Sequence, residues 1–180
     1  MKKIILIFCI LVSATIVSAQ KLIKLTATGF ISVADTTKNY IVVDVPGATA
    51  EELYDRLRAQ IVQEAISAKD ILSEDKKSFT LSFNSNFEFS GMGYKNIFSY
   101  TITISCKDNK VKIQPNFVRL TTGNTDMRLF GGNTGLHTSA LFNKKQEVRW
   151  PKIYAPLSET FDSVIDSVIG WAKDPVSEDW

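Results

Sequence analysis

The chain has 180 residues, 44% of them hydrophobic and 22% charged, enough for one domain with a sizeable core. Its 21 Lys and Arg stand against 19 Asp and Glu, a balance that argues against a dedicated nucleic-acid binder or a polybasic membrane-surface protein. Two cysteines, Cys9 and Cys106, exclude a disulfide-rich scaffold.

The first nineteen residues have the layout of a secretory signal peptide. Met1-Lys2-Lys3 is a basic start, Ile4 to Val12 an almost unbroken apolar run, and Val17-Ser18-Ala19 a small-residue cleavage site. A membrane-spanning helix needs about 20 apolar residues, and Ser13, Thr15 and Ser18 interrupt a shorter run. Phe8 stands before Cys9, where a lipoprotein signal carries a small residue. The expectation is export through a Sec-type signal, cleavage between Ala19 and Gln20, and a periplasmic or extracellular product that is not an integral membrane protein. Without Lys2 and Lys3 the mature chain has 19 basic and 19 acidic residues and is formally neutral. Cys106 is then alone, so the fold rests on packing. It sits in a strand pattern and reads as a small buried hydrophobe rather than a reactive thiol.

Along the mature chain, Gln20 to Lys38 is mixed and reads as one irregular strand. Tyr40 to Val45 is a β-branched run, and Pro46-Gly47 stops it in a turn. Thr49-Ala50-Glu51-Glu52 fits a capping box. Leu53, Leu57 and Ile61 follow at i, i+4 and i+8, with Tyr54, Ala65 and Ile66 widening the stripe, so a helix is expected over 50–65. The period then changes to two. Phe79, Leu81 and Phe83 alternate with polar residues, Phe87 and Phe89 flank Glu88, and Gly91-Met92-Gly93 marks a turn. The longest strand carries Phe98, Tyr100, Ile102, Ile104 and Cys106 on one side and Ser99, Thr101, Thr103 and Ser105 on the other. Asp108-Asn109 makes a hairpin turn, and Val111, Ile113, Phe117, Val118 and Leu120 lie on the return. Such alternation is expected of an antiparallel sheet with one face packed and one solvated.

Thr121 to Lys145 is rich in Gly, Asn and Thr and reads as a long loop, of the kind that carries function or mobility. A second helix is expected after Pro156 with Ser158 as N-cap. Its stripe is Phe161, Val164, Ile165, Val168, Ile169 and Ala172. Residues 174–180 read as a frayed tail, and residues 20–173 as a single domain.

The segment from Val43 to Arg56, with its Pro-Gly turn, capped helix and Leu53-Tyr54 pair, resembles the opening of a secreted Bacteroidetes family. That family is a domain of unknown function with a TATA-binding-protein-like fold. The resemblance covers about Asn39 to Leu120, plus the last helix in outline, and does not extend to the Gly/Asn-rich loop. It implies a curved antiparallel sheet with helices on one face and a Gram-negative gut or oral bacterial source. It implies no catalytic residue. DNA binding does not carry over either, because a minor-groove saddle needs basic residues and apolar wedges where this chain has Ser99, Thr101, Thr103 and Ser105.

Candidate chemistry is sparse. His137 is the single histidine. A zinc site lacks its partners, and a triad of Ser139, His137 and Asp126 lacks a nucleophile elbow. Gly91-Met92-Gly93 and Gly131-Gly132 are not followed by the Lys-Ser/Thr of a phosphate loop; turns explain them. No metal, cofactor or catalytic set is expected. The aromatic strand residues are expected as core under the two helices. As an alternative, Phe79, Phe83, Phe89, Phe98 and Phe161 line a cavity for an apolar ligand. Trp150 and Tyr154 read either as a buried crossing segment or as an exposed contact patch.

The sequence thus predicts an α+β domain with a mainly antiparallel sheet of about five strands and both helices on its apolar face. The favoured function is a non-enzymatic binding or adaptor module whose partner is an unknown protein or envelope component, not nucleic acid. Alternatives are an apolar-ligand carrier of the envelope and a hydrolase using His137. The candidate interaction loop carries Arg128, Asn133 and His137, with Trp150 and Tyr154 beyond it.

Overall fold

Two distant turns lock together to start the first helix. Gly47 (φ 84°) follows Pro46 in a left-handed conformation open to glycine. Its N–H donates to Asn109 Oδ1 at 2.6 Å, and Ala50 N–H donates to Asp108 Oδ1 at 2.9 Å. The capping box closes as expected. Thr49 N–H donates to Glu52 Oε2 at 2.8 Å and Glu52 N–H to Thr49 Oγ1 at 3.2 Å, satisfying orphan amides of the first turn. Helix α1 runs over Ala50–Glu64 and buries Leu53, Tyr54, Leu57 and Ile61.

The computed structural model describes residues 21–64, 73–131 and 140–173. The segment expected as a signal, the end of the expected first helix at Ala65 and the expected tail lie outside them. Two strands, β1 (Ile23–Thr26) and β2 (Gly29–Ser32), form an antiparallel hairpin where one irregular strand was expected. Each has four residues, too few for the alternation to emerge from the sequence. The main sheet contains β3 (Ile41–Asp44), β4 (Ser73–Asp75), β5 (Thr80–Gly91), β6 (Tyr94–Lys107), β7 (Lys110–Thr122), β8 (Thr125–Phe130) and β9 (Ala140–Phe142). Its order is β4-β5-β6-β7-β8-β9, with β3 also on β7. Every pairing is antiparallel except β8 with β9. The predicted turn at 91–93 is a tight one in which Met92 (φ 55°) and Gly93 (φ 79°) are both left-handed, the geometry that suits the twist of a hairpin.

The stretch expected as a loop from Thr121 to Lys145 therefore contains the end of β7 and two further strands. Its signal was hidden because β8 buries only Met127, so no period-2 apolar pattern is present. The second helix, α2, spans Pro151–Lys173 and encloses Pro156. It begins seven residues before the expected N-cap. Pro151 takes the first helical position, where its missing N–H costs nothing, and Ser158 lies buried inside the helix. Ile153 and Leu157 carry the apolar stripe back through the proline.

Both helices and the β1–β2 hairpin lie on the apolar face of the sheet. Phe161 of α2 stacks on Phe30 of β2 with ring centroids 4.4 Å apart and meets Phe98 of β6 edge-on at 5.8 Å. Tyr54 of α1 meets Phe79 at 6.0 Å. The five phenylalanines considered as an apolar ligand cavity are thus packed structure. Phe83, Phe89, Phe98 and Phe161 are buried, and Phe79 packs against the core. Rings occupy the space that a carrier would need for a ligand.

Candidate functional site

The outward residues of β5, β6 and β7 build a surface whose middle rows are neutral and polar. Register places Ser82, Thr103 and Gln114 in one row across the sheet, and Asn84, Thr101 and Asn116 in the next. Hydroxyls and carboxamides bridge the strands: Ser82 Oγ and Thr103 Oγ1 lie 3.2 Å apart, Thr80 Oγ1 donates to Ser105 Oγ at 3.3 Å, and Thr101 Oγ1 donates to Asn84 Oδ1. Charge flanks these two rows, with Lys112 opposite Ser105 and Arg119 opposite Ser99. Lys112 lies 5.4 Å from the ring of Tyr40, and Glu88 pairs with Lys95 at 2.7 Å. The two central rows offer many neutral donors and acceptors.

At the outer edge of β7 the sheet is incomplete. Its pairing with β3 ends at Ile113, and pairing with β8 starts at Leu120. Between them Tyr100 pairs with Phe117 and Ser99 with Arg119, so Val118 is an extra residue and β7 bulges. A cavity of about 240 Å³ lies there, between the β1–β2 turn and β7.

Of the residues singled out from the sequence, Arg128, Trp150 and Tyr154 lie among the described residues. Arg128 is exposed on β8, opposite Ala140 of β9. Asn133 and His137 lie outside the described residues. Trp150 packs against the core, with the Arg149 guanidinium 5.3 Å from its ring. Tyr154 is in α2, where its hydroxyl donates to Leu25 O at 3.0 Å and its ring meets Phe142 edge-on at 5.7 Å. Both aromatics pin α2 to the rest of the fold, the crossing-segment alternative. Burial pushes the Cys106 thiol up to about 12, which keeps it protonated and unreactive at neutral pH. Thr28, Asn39 and Asn116, at the cavity rim, carried no signal in the sequence. They meet only through the break in the β7 edge.

An open, mainly antiparallel sheet with two helices on one face defines a TBP-like α+β protein. Residues 40–119 match the family model described as a domain of unknown function (DUF4468) with TBP-like fold. It is the family that the Val43–Arg56 segment resembles. A TBP-like protein from Parabacteroides distasonis ATCC 8503 is similar with 16% identity and a TM-score of 0.55, over 74% of this chain and 90% of that one. A DUF4468 family protein from Bacteroides ovatus ATCC 8483 has 15% identity and a TM-score of 0.57, over 77% and 87%. At such identities the likeness concerns the fold. No curated protein matches the sequence. Among the described residues, no helix is long and apolar enough to cross a membrane.

Proposed function

We propose that this protein is a non-enzymatic binding module of the bacterial periplasm or cell exterior, and that the hydroxyl- and carboxamide-lined face of its sheet is the binding surface. One observation carries the reading. Thr103 sits between Ser82 and Gln114 in one of two adjacent neutral rows of hydroxyls and carboxamides, while the opposite face is filled by helices and rings. The signal-like start, Met1 to Ala19, supports export. The neutral mature charge supports a partner that is not nucleic acid.

The test is affinity capture from the producing cell's own envelope, with the wild type beside Thr103→Lys. A lysine there puts a charge in the middle of the surface and leaves the core untouched. Loss of one specific partner, with an unchanged circular dichroism spectrum, supports the face as the binding surface. Equal capture by both proteins overturns it. N-terminal sequencing of the exported protein checks the compartment: a start at Gln20 supports export, and an intact Met1 in the cytosol overturns it.

A further inference from the structure

The break in the β7 edge is a pocket with a definite chemistry. We propose that it binds one neutral sugar unit; this deepens the binding-module reading and rests on it. Thr28, Asn39 and Asn116 stand at the rim, over Pro115, Phe117 and Leu129. Among the described residues, no charged side chain lines the pocket, so these residues offer no counter-charge for a phosphate or carboxylate. The rim carries one hydroxyl and two carboxamides, each carboxamide both donor and acceptor. Among the described residues, neither Asn39 nor Asn116 uses its side chain in a hydrogen bond within the chain. Proline, phenylalanine and leucine supply an apolar floor. A sugar ring has the matching halves, a C–H face for the floor and hydroxyl edges for the amides.

Size and backbone geometry narrow the ligand further. Pockets for drug-sized ligands span about 300–1,000 Å³, and this one, at about 240 Å³, has room for a single ring. An extended peptide added to the open edge is the competing occupant. Val45 N–H donates to Asn109 O at 2.8 Å, which sets the parity of the β3–β7 ladder: Val111, Ile113 and Pro115 turn their backbone nitrogens outward. At Pro115 that position has no N–H to give, and the Val118 bulge twists the strand just beyond. Both features blunt an edge against strand addition. They leave side-chain amides, rather than a backbone ladder, as the recognising groups.

The test is a titration of the ¹⁵N-labelled protein with the methyl glycosides of glucose, galactose, mannose and N-acetylglucosamine. Galacturonic acid serves as the charged comparison and a four-residue polyvaline-type peptide as the strand comparison. An open single-ring pocket implies a millimolar Kd. Saturable shifts of the Asn39 and Asn116 side-chain amides are expected for at least one neutral glycoside. Asn39→Ala and Asn116→Ala, both on exposed positions, are expected to weaken binding by about fivefold or more, the value of one neutral hydrogen bond. No saturable shift with any neutral glycoside at about 50 mM, well above a millimolar Kd, overturns the proposal. So does tighter binding of galacturonic acid or of the peptide, or undiminished binding by both alanine variants. Envelope capture by Thr103→Lys is a separate readout, so the binding-module reading stands or falls independently of the sugar titration.

Discussion

Asp108 shows how one side chain acts on two elements. It occupies the β6–β7 hairpin turn, yet its carboxylate accepts the Ala50 N–H at the start of α1. The negative charge also lies at the positive end of the helix dipole. Asn109 completes the lock by holding Gly47, itself adopting a left-handed φ of 61° that asparagine tolerates. Asp108→Ala is therefore expected to lower stability by about 1 kcal/mol, the usual cost of losing an N-terminal cap, although a turn residue normally tolerates exchange. Chemical denaturation with an unchanged slope checks this. Cys106 gives a second prediction. Its buried thiol, raised to about 12, is expected to resist a thiol-specific disulfide reagent at pH 8 in the native protein. It should react within minutes once denaturant exposes it, because an exposed thiol then returns to a pKa of about 8.5. Fast labelling of the native protein contradicts the packing described.

The clearest lesson about an element is α2. Pro156 cannot donate to Lys152 O, its partner four residues back. The same carbonyl faces Gly91 at the end of β5. A Cβ placed on Gly91 would stand 2.7 Å from Lys152 O and 3.3 Å from Ile153 Cα. The helix thus gives up a hydrogen bond where the strand end comes closest, and glycine permits that approach. Nearby, Asn96 is fully buried and its Nδ2 donates to Phe89 O, Gly91 O and Tyr94 O, fixing the hairpin tip on which α2 rests. Gly91→Ala is expected to push α2 away and cost about 1–3 kcal/mol, the range for overpacking. Exchange protection of the first α2 turns, measured with the unfolding midpoint, distinguishes this clash from a general loss of stability. Full stability in the alanine variant contradicts the close approach.

Across the molecule, the core is closed by parts distant in sequence. Residues 40–119, the DUF4468 match, provide β3, α1 and β4 to β7 up to the bulge. The β1–β2 hairpin and α2 lie outside that span, and they meet each other over the sheet through Phe30, Phe161 and Phe98. Tyr154 binding Leu25 O, and Lys21 at 2.9 Å from Asp162, tie the same two parts together. Phe161→Ala is expected to destabilise the protein by about 3–5 kcal/mol. Phe117→Ala, at a half-buried edge of the same ring cluster, should cost clearly less. Thermal unfolding of the two variants side by side tests that order, and an equal or inverted order removes the three-ring contact as the centre of the core.

The sequence by itself determined the elements whose signals are local. Thr49 and Glu52 announced α1, because a capping box is written in four consecutive residues. Phe98 to Cys106 and Val111 to Ile113 announced the central hairpin, because alternation with period two persisted over many residues. Sheet polarity followed from the same alternation, and with it the Ser/Thr face. Short elements escaped. The four-residue strands at Ile23 and Gly29 and the weakly apolar β8 are ordered by their neighbours rather than by their own pattern. Pro156 misled because a proline reads as a boundary, while Pro151 and the stripe from Ile153 to Ala172 outweigh it once α2 packs on the sheet. Tertiary structure alone decided that the aromatic residues fill rather than line a cavity, since only ring-to-ring distances separate those outcomes. It alone placed Thr28, Asn39 and Asn116 around one pocket. That pocket exists because two strands share the edge of β7 and leave a gap between them, and strand pairing over such distances is set by packing, not by any local run of residues.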